Sequence, residues 1–382
     1  MITEFFTPTK IILGEGAINR TGEIVKSVGN NGLIVSSHSG RYNSKLEKQL
    51  LEKDVRYCIY KVSGEPTVET VLQGLQIARQ NKVEVVVGIG GGSTLDTAKA
   101  IAILMTNSGD IYNYLEVVGE GKVFQNRGLP SIAIPTTAGT GTEVTKNAVI
   151  SVPNAKVKVS LRSEWMIPKM AIIDPELTYC LEQEVTAFSG MDALTQLIEP
   201  YVCNQPNPVT DPLCRDGIMR IANNFQTAYY DGTNKKARYN MSVASLFSGM
   251  ALANAKLGAV HGFAGVLGGM YGTPHGEICA ILLPQVIKVN LDIIKNREPN
   301  NAALTRYRQI AKMILNSEDE QELIEWILDL DRKFSIPTLR SIGIRREDFN
   351  VIIEKASQAS SMKGNPINLS EKELQTILEY AY

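Results

Sequence analysis

Short apolar segments alternate with helical patterns through the first half of the chain, and this alternation limits the possible folds more than any other feature. Residues 83–89 (VEVVVGI) are apolar almost throughout and lie between helical patterns at residues 67–80 and 94–105. Strands that are apolar on both faces are typical of a parallel sheet covered by helices on both sides. Further strands are predicted at residues 10–13, 32–36, 56–62, 131–134 and 170–173. The sequence therefore predicts an α/β domain built on a parallel sheet.

Helical periodicity replaces this alternation after Asp174 and Pro175. Helices are predicted at residues 191–199, 213–225, 242–255, 279–289, 301–315, 320–334, 350–356 and 371–380. The last of them starts with a capping box, formed by Ser370 and Glu373. We therefore predict two domains that pack around a cleft, an α/β domain at residues 1–180 and an all-helical domain at residues 181–382.

Composition and charge argue against several classes of protein. A net charge of −1 gives no electrostatic reason to expect nucleic acid or an anionic membrane as a partner. The N-terminal sequence MITEFFTPTK lacks the pattern of a signal peptide, and no window reaches the roughly 18 apolar residues of a membrane span. The five cysteines are scattered without a C-x-x-C pair. Their pattern favours a reducing cytoplasm and argues against both a disulfide framework and a thiolate zinc site.

Residues 88–96 (GIGGGSTLD) form a glycine-rich turn between a predicted strand and a predicted helix. Three successive glycines let a ligand approach the backbone, and the N–H groups at the start of the helix favour an anionic group such as a pyrophosphate. The pattern departs from the G-x-G-x-x-G fingerprint, because Ser93 stands in place of the third glycine and the turn does not follow the first strand. We interpret it as a dinucleotide or phosphate site, with a purely structural turn as the alternative.

A threonine-rich segment, residues 135–143 (PTTAGTGTE), follows the strand at residues 131–134. Its four hydroxyls and two glycines come at the carboxyl end of a strand, where open α/β sheets bind ligands. We interpret this segment as a second ligand-binding loop.

Two of the three histidines, His261 and His275, lie in a glycine-rich apolar stretch at residues 255–284. Each ring nitrogen of a buried imidazole needs a partner, and imidazole is a common ligand for zinc and iron. A pair of satisfied core histidines is the alternative. Asp192 shares a helix face with Gln196, four residues further on. It either complements the helix dipole or completes a metal site with the two histidines.

These residues and their order resemble the iron-containing alcohol dehydrogenase family, within the superfamily that also contains glycerol dehydrogenase and dehydroquinate synthase. The likeness covers nearly the whole chain, through the motifs FTPTKIILGEGA, GIGGGSTLDTAKAIA, IPTTAGTGTEVT, AIIDPELT, GMDALTQLIEPYV, GAVHGFAGVLGGMYGTPHGEICAILLP and SMKGNPINLSEKEL. It implies a dehydroquinate synthase-like fold, in which a Rossmann-like dinucleotide-binding α/β domain precedes an all-α domain with the metal and substrate site.

The resemblance also implies a role for each matching residue. Asp192, His261 and His275 would bind the metal and act in catalysis. The residues implied in cofactor binding are Gly91, Gly92, Ser93 and Asp96 on the pyrophosphate and nicotinamide side, Thr136, Thr137 and Thr140, and Lys158 and Leu177 near the ribose.

Two positions depart from the family pattern. Gln196 stands where the family has a histidine ligand, and Gly265 stands where a second histidine usually lies near the nicotinamide. Gln196 is a poorer ligand than imidazole, but its carbonyl oxygen can bind a hard cation, so it remains a candidate fourth ligand. Asp192, His261 and His275 leave coordination positions open, as a catalytic metal requires. Zinc and iron both remain candidates.

The turn after the second strand bears on the choice between NAD and NADP. Family members that prefer NAD tend to have an aspartate near Ser37, which would bind the ribose 2′-hydroxyl and repel a 2′-phosphate. The turn SHSGR has no acid and offers donors at Ser37, Ser39 and Arg41, beside Gly40. NADP is therefore expected to be tolerated or preferred, with Ser37 and Gly40 contacting the cofactor.

The predicted function is reversible hydride transfer between a nicotinamide cofactor and a small alcohol or aldehyde, with a divalent iron or zinc ion as Lewis acid. The alternatives are a metal-free reductase resembling maleylacetate reductase and a nucleotide-binding protein without turnover. A lyase resembling dehydroquinate synthase is disfavoured, because residues 258–275 contain no basic group to bind an acidic substrate. The resemblance further implies a homodimer or a larger homo-oligomer.

Overall fold

The computed structural model describes residues 3–382, which form two compact units. The α/β unit spans Thr7–Cys180, and the helical unit comprises Leu181–Tyr382 together with the described residues before Thr7. The predicted fold class, a parallel α/β sheet followed by helices, is confirmed.

Strands and helices alternate along the α/β unit. The strands are β1 (Lys10–Leu13), β2 (Asn31–Ser37), β3 (Arg56–Val62), β4 (Val85–Gly90), β5 (Ser131–Pro135), β6 (Asn147–Val152), β7 (Val157–Arg162) and β8 (Met170–Ile173). The α-helices are α1 (Thr21–Lys26), α2 (Asn43–Glu52), α3 (Val68–Gln80) and α4 (Gly92–Leu104). Six strands form one parallel sheet in the order β1–β8–β5–β4–β2–β3.

The sheet separates two hydrophobic cores. Neighbouring residues of β4 face opposite sides, so that Val86 lies in the core with α3 and α4, while Val85 and Val87 lie in the core with α1 and α2. Every residue of β4 is buried. Because helices cover both faces, the strand has to be apolar throughout, which explains its sequence VVVGIG.

The hairpin formed by β6 and β7 was not predicted from the sequence. The two strands pair antiparallel along their full length, outside the parallel sheet. Burial alternates along β6, so only one of its faces packs against the unit. The turn contains Pro153 and Lys156, with a φ of 51° at Lys156. It therefore lacks the Asn-Gly type of pair by which such a hairpin is usually recognised.

Nine α-helices make up the helical unit across the described residues 181–382. They are α5 (Gln183–Val202), α6 (Asp211–Tyr230), α7 (Lys235–Asn254), α8 (Ala259–Tyr271), α9 (His275–Arg297), α10 (Ala302–Leu315), α11 (Glu320–Phe334), α12 (Phe349–Gln358) and α13 (Glu371–Ala381). Eight of them coincide with predicted helices, several with longer ends. The predicted capping box is present, since Ser370 N–H donates to Glu373 Oε2 at 2.7 Å and Glu373 N–H donates to Ser370 Oγ at 3.4 Å.

Helix α8 was not predicted. Its sequence AVHGFAGVLGGMY is rich in glycine, and each glycine disfavours a helix by about 1 kcal/mol relative to alanine. Burial overrides this propensity. Gly262 lies so close to Met362 that a Cβ would stand 2.9 Å from the methionine Cε. The same glycines that make this helix hard to predict from the sequence thus permit its close packing in the structure.

No single helix in the described part of the chain is both long and apolar enough to cross a membrane. Helices α7 and α8 reach the required hydropathy only as a pair that bends by 96°. Most residues of both helices are buried within the helical unit.

Candidate metal centre and cofactor site

Helix α5 carries three polar side chains on one buried face. Asp192, Gln196 and Glu199 are spaced by four and three residues, so they form a row along the helix. Their exposed fractions are 1%, 2% and 5%. Polar groups buried this deeply need partners, and residues of α7, α8 and α9 lie next to them.

The Glu199 carboxylate accepts hydrogen bonds from the start of α8. Oε1 accepts from the Val260 N–H at 2.7 Å, and Oε2 accepts from the Gly258 N–H at 2.9 Å. Asn365 Oδ1 accepts from the Ala259 N–H at 3.2 Å. These contacts pair N–H groups that lack partners within a helix, and the negative charge complements the helix dipole. A side chain at position 258 would displace the Glu199 carboxylate, because a Cβ there would lie 2.8 Å from Glu199 Oε1.

The same carboxylate orients His261 in the first turn of α8. The Nδ1 of His261 is 2.7 Å from Glu199 Oε2. Because the carboxylate accepts, Nδ1 carries the hydrogen, and the lone pair of the neutral ring is on Nε2. Nε2 is buried without a hydrogen-bond partner, 3.6 Å from Asp192 Oδ1, which is too long for a hydrogen bond. A lone pair fixed in this way is typical of a metal-binding histidine.

His275 reaches the same aspartate from the start of α9. Its Nε2 is 3.7 Å from Asp192 Oδ1, and its ring centre is 5.3 Å from that of His261. The approach depends on Gly276, where a Cβ would lie 2.5 Å from the backbone oxygen of Phe188 in α5. The His275 side chain is 34% exposed, so the cluster is open to solvent on this side.

Four donor atoms, from Asp192, His261, His275 and Cys279, lie within 4.8 Å of one another. Two ligands at about 2.1 Å from a shared tetrahedral ion lie roughly 3.4 Å apart. The imidazole nitrogens stand 3.6 and 3.7 Å from Asp192 Oδ1, so these residues fit a metal ion. Sequence analysis missed Cys279 and Glu199. Their spacing, one turn after His275 and two turns after Asp192, is the pattern that would have indicated them.

Gln196 does not direct its oxygen into this cluster. Its Oε1 accepts from the Ser248 hydroxyl at 3.3 Å, and its Nε2 donates to Asp192 Oδ1 at 2.9 Å. In this arrangement the amide nitrogen faces Asp192 and helps to hold it in place. A role for Gln196 as a metal ligand stays a prediction.

Opposite charges determine the protonation of the cluster. Burial acts to raise the pKa of Asp192, but the neighbouring His261 and His275 outweigh it and leave that pKa lowered. Burial acts to lower the pKa of His261, but the Glu199 and Asp192 carboxylates raise it to about 9. Two buried carboxylates thus favour a positive charge between them, either a proton on His261 or a metal cation.

The predicted cofactor residues follow neighbouring strands of the α/β unit. In the sheet, β4 lies between β2 and β5, and the three strands are parallel, so their carboxyl ends meet at one edge. The chain leaves β2 towards β3 on one side and β4 towards β5 on the other, and such a reversal opens a crevice where ligands bind. The residues at this edge are Ser37 and Gly40 at the end of β2, Gly91, Gly92 and Ser93 after β4, and Thr136, Thr137 and Thr140 after β5.

The glycine turn forms the start of α4. This helix begins at Gly92 without a side-chain cap, so its first N–H groups suit an anion. A Cβ at Gly91 would approach no other atom more closely than 3.5 Å, so the protein leaves room beside this backbone. A Cβ at Gly92 would lie 2.8 Å from Thr140 Cγ2. The turn and the threonine-rich loop are therefore in close contact.

Asp96 binds neighbouring parts of the protein. Oδ1 accepts from the Thr142 hydroxyl and lies 3.0 Å from Lys99 Nζ, while Oδ2 accepts from the Val149 N–H at 2.9 Å. Lys99, only 2% exposed, also donates to the carbonyl oxygens of Thr142 and Asn147. Asp96 and Lys99 thus tie α4 to the threonine-rich loop and to β6. A contact between Asp96 and the cofactor stays a prediction.

Lys158 and Leu177 lie in different surroundings. Lys158 is in β7, outside the sheet, and its buried Nζ is 3.4 Å from the Glu65 carboxylate. Leu177 follows β8, is 4% exposed, and accepts a hydrogen bond from the Tyr42 hydroxyl at its carbonyl. Leu177 is thus near the carboxyl edge of the sheet, and a ribose contact stays a prediction for both residues.

Family models match nearly the whole chain. The model described as "Iron-containing alcohol dehydrogenase" matches residues 8–175, and the model described as "Fe-containing alcohol dehydrogenase family, C-terminal" matches residues 186–382. The fold and the matches define an oxidoreductase. More specifically, the chain belongs to the iron-containing alcohol dehydrogenase family, and the resemblance seen in the sequence is confirmed.

Relatives of known name match along nearly their full length. Alcohol dehydrogenase 4 of Saccharomyces cerevisiae is 36% identical over 388 residues, which cover 100% of this chain and 99% of the yeast protein. The NADPH-dependent butanol dehydrogenase of Clostridium saccharobutylicum is 33% identical and covers 97% of this chain and 91% of its own.

Solved structures show the same fold. A crystal structure of a 1,3-propanediol oxidoreductase has a TM-score of 0.92 and 32% identity, with 100% of both chains covered. The sulfoacetaldehyde reductase of Bifidobacterium kashiwanohense, solved in complex with NAD+, has a TM-score of 0.88 and 27% identity, with 100% of this chain and 99% of that chain covered.

Replacing Gly276 with alanine should weaken metal binding, because the added Cβ pushes His275 and the start of α9 away from Asp192. We expect the affinity for zinc to fall by at least about tenfold, the scale of losing a supporting contact at a metal site. Competition with a chromogenic chelator measures it.

Gly265→Ala is the matched control, because a Cβ at this helical glycine would meet nothing within 4 Å. Its metal affinity should not change. Equal losses in the two variants would contradict the packing argument.

Proposed function

We propose that this protein is a metal-dependent, NAD(P)-linked dehydrogenase that transfers a hydride between a nicotinamide and a small alcohol or aldehyde. The proposal rests on the convergence of Asp192, His261 and His275 in a cluster that suits a cation. The buried Nε2 of His261 has no hydrogen-bond partner and is therefore available to bind a metal ion. Family membership supports the reaction class. The names of the alcohol, butanol and propanediol enzymes similar to this chain support an alcohol as substrate.

Each residue of the cluster has a task in this proposal. Asp192, His261 and His275 hold the ion, and Glu199 keeps His261 in the tautomer with a lone pair on Nε2. When bound, the ion supplies Lewis acidity, which lowers the pKa of an alcohol and polarises an aldehyde. His275 is the most exposed of the three ligands, so the substrate oxygen approaches from its side.

Gly265 gives the substrate room beside His261. It lies one turn further along α8, and a Cβ there would meet nothing within 4 Å. This position offers no acid or base to accept the alcohol proton. The free space also allows a substrate larger than ethanol.

The start of α4 is the proposed site of the cofactor pyrophosphate. Its uncapped N–H groups and the room beside Gly91 support this placement. The cofactor would then lie between two segments. One follows β4 and contains Gly92 and Ser93, and the other follows β5 and contains Thr136, Thr137 and Thr140.

The turn after β2 favours NADP in this proposal. The Ser37 and Ser39 hydroxyls are 3.2 Å apart, and residues 36–41 include Arg41 and no acid. Lys61 Nζ would stand 3.3 Å from a Cβ at Gly40, so a second cation lies beside the turn. A 2′-phosphate would find donors and positive charge at this place.

The protein is further proposed to act in the cytoplasm as a homodimer or larger homo-oligomer. None of its five cysteines forms a disulfide, which suits a reducing compartment. The oligomer rests on family likeness, and light scattering on the purified protein tests it.

Asp192→Ala should abolish metal binding and oxidation of alcohols together, because Asp192 Oδ1 is the atom near which both imidazoles meet. We expect kcat/KM with short alcohols and diols to fall by at least about 100-fold, since loss of even a supporting residue costs 10–100-fold. Elemental analysis measures the metal. Asp292→Ala, at an exposed site on α9, is the control and should retain both.

The opposite results would point to the alternatives. Unchanged activity after complete chelation would indicate a metal-free reductase. Tight cofactor binding without oxidation of any alcohol would indicate a nucleotide-binding protein.

Metal affinity should rise with pH, and the part of this rise that comes from His261 should end at about pH 9, because a proton competes for its Nε2 until the pKa of the imidazole is passed. Each pH unit below that value lowers the affinity by up to about tenfold. Glu199→Gln removes the charge that raises this pKa, so the break should move to lower pH. A chelator competition at several pH values measures both curves, and an affinity independent of pH would refute the assignment.

Ser37→Asp should shift the preference from NADP to NAD, because the new carboxylate repels a 2′-phosphate and accepts from a 2′-hydroxyl. We expect kcat/KM for NADP to fall by at least about tenfold, because the new carboxylate and the 2′-phosphate carry charges of the same sign. Lys61→Ala should weaken NADP alone, while Lys45→Ala, at an exposed position on α2, should affect neither cofactor. If Lys61→Ala weakened NAD and NADP equally, the 2′-phosphate would not be bound here.

A further inference from the structure

We propose that the thiolate of Cys279 is the fourth protein ligand of the metal, and that it makes the site select zinc over ferrous iron. This inference rests on the proposed function and deepens it. It assigns a ligand that the histidine-based pattern of the sequence did not contain.

The position of Cys279 on α9 carries the first part of the argument. His275 is the first residue of α9, and Cys279 follows one turn later on the same face. Cys279 is 0% exposed, and its Sγ belongs to the group of donor atoms that lie within 4.8 Å of one another. One helix thus presents an imidazole and a sulfur to the same point.

The neighbouring helices carry the second part. The Nε2 of His261, buried and without a hydrogen-bond partner, lies in this group beside Asp192 Oδ1. Four ligands around a tetrahedral zinc ion lie roughly 3.3–3.7 Å apart. A contraction of about an ångström from the 4.8 Å limit is therefore enough to bring all four donors onto one ion.

Gln196 does not compete with Cys279 for this place. Its oxygen accepts from Ser248 and its nitrogen donates to Asp192. Both contacts would have to break before the amide oxygen could reach a cation. Where the family pattern has a histidine on α5, this chain therefore supplies its fourth donor from α9.

The sulfur changes which metal the site prefers. Thiolate is a soft ligand that favours zinc, whereas a site of oxygen and nitrogen alone discriminates less. As the metal–sulfur bond forms, the S–H bond breaks and its proton passes to solvent. With four protein ligands, the ion would still be able to accept a substrate oxygen, because catalytic zinc can expand its coordination beyond four. Cys279 is the one cysteine in this cluster of described residues, so the proposed site contains a single thiolate.

Cobalt(II) substitution tests the ligand directly. Cobalt(II) is added to the metal-free full-length protein without oxygen, and the near-ultraviolet absorption is recorded. The wild type should show a thiolate-to-cobalt charge-transfer band, and Cys279→Ser should bind cobalt without that band. Cys214→Ser, at another fully buried cysteine in α6, is the matched control and should keep it. Identical spectra for the wild type and Cys279→Ser would overturn the assignment.

Competition between metals tests the selectivity. The wild type and Cys279→Ala are each equilibrated with equal zinc and ferrous iron under anaerobic conditions, and the bound metals are quantified. The ratio of zinc to iron should fall by at least about tenfold in the variant. An unchanged ratio would overturn the selectivity claim. Thermal melts of the metal-free proteins confirm that the variants fold.

The failure of this inference differs from the failure of the proposed function. If the wild type binds metal and oxidises alcohols but shows no thiolate band, only the role of Cys279 is wrong. If the wild type binds neither zinc nor cobalt and its activity survives chelation, the metal-dependent function is wrong as well.

Discussion

The candidate metal centre depends on the Glu199 carboxylate, which lies between the start of α8 and the ring of His261. A buried charge without partners costs several kcal/mol. Hydrogen bonds from Gly258, Val260 and His261 offset that cost. The same three bonds fix where α8 begins and which nitrogen of His261 keeps its lone pair. One side chain thus sets both the packing of a helix and the chemistry of a ligand.

The fold class could be predicted because it depends on periodicity within short segments. The apolar run of β4 and the helical patterns after Asp174 each indicate which faces of a strand or helix are buried. Helix α8 and the β6–β7 hairpin were not predicted, because the sequences of these segments carry only weak signals of their structure. The glycines of α8 lower its helix propensity. Close contacts, such as that between Gly262 and Met362, stabilise the helix, but they form only in the folded chain.

The candidate site was predicted less completely, because its chemistry depends on where each side-chain atom points as well as on residue type. Residue types and family resemblance pointed to Asp192 and the two histidines. Gln196 is a candidate ligand because it stands where the family has a histidine, but its contact with Ser248, far away in sequence, could not be predicted. Asp96 was placed beside the cofactor by the same resemblance, and its contacts with Thr142 and Val149 could not be predicted either. Contacts of this kind require the assembled structure.

Lys99 joins three parts of the α/β unit. Its ammonium group is buried among Asp96, Thr142 and the first residue of β6, so helix, loop and hairpin are held as one body. A loop that is already ordered loses little conformational entropy when a ligand arrives. The end of the threonine-rich loop at Thr142 should therefore not have to become ordered when the proposed cofactor binds.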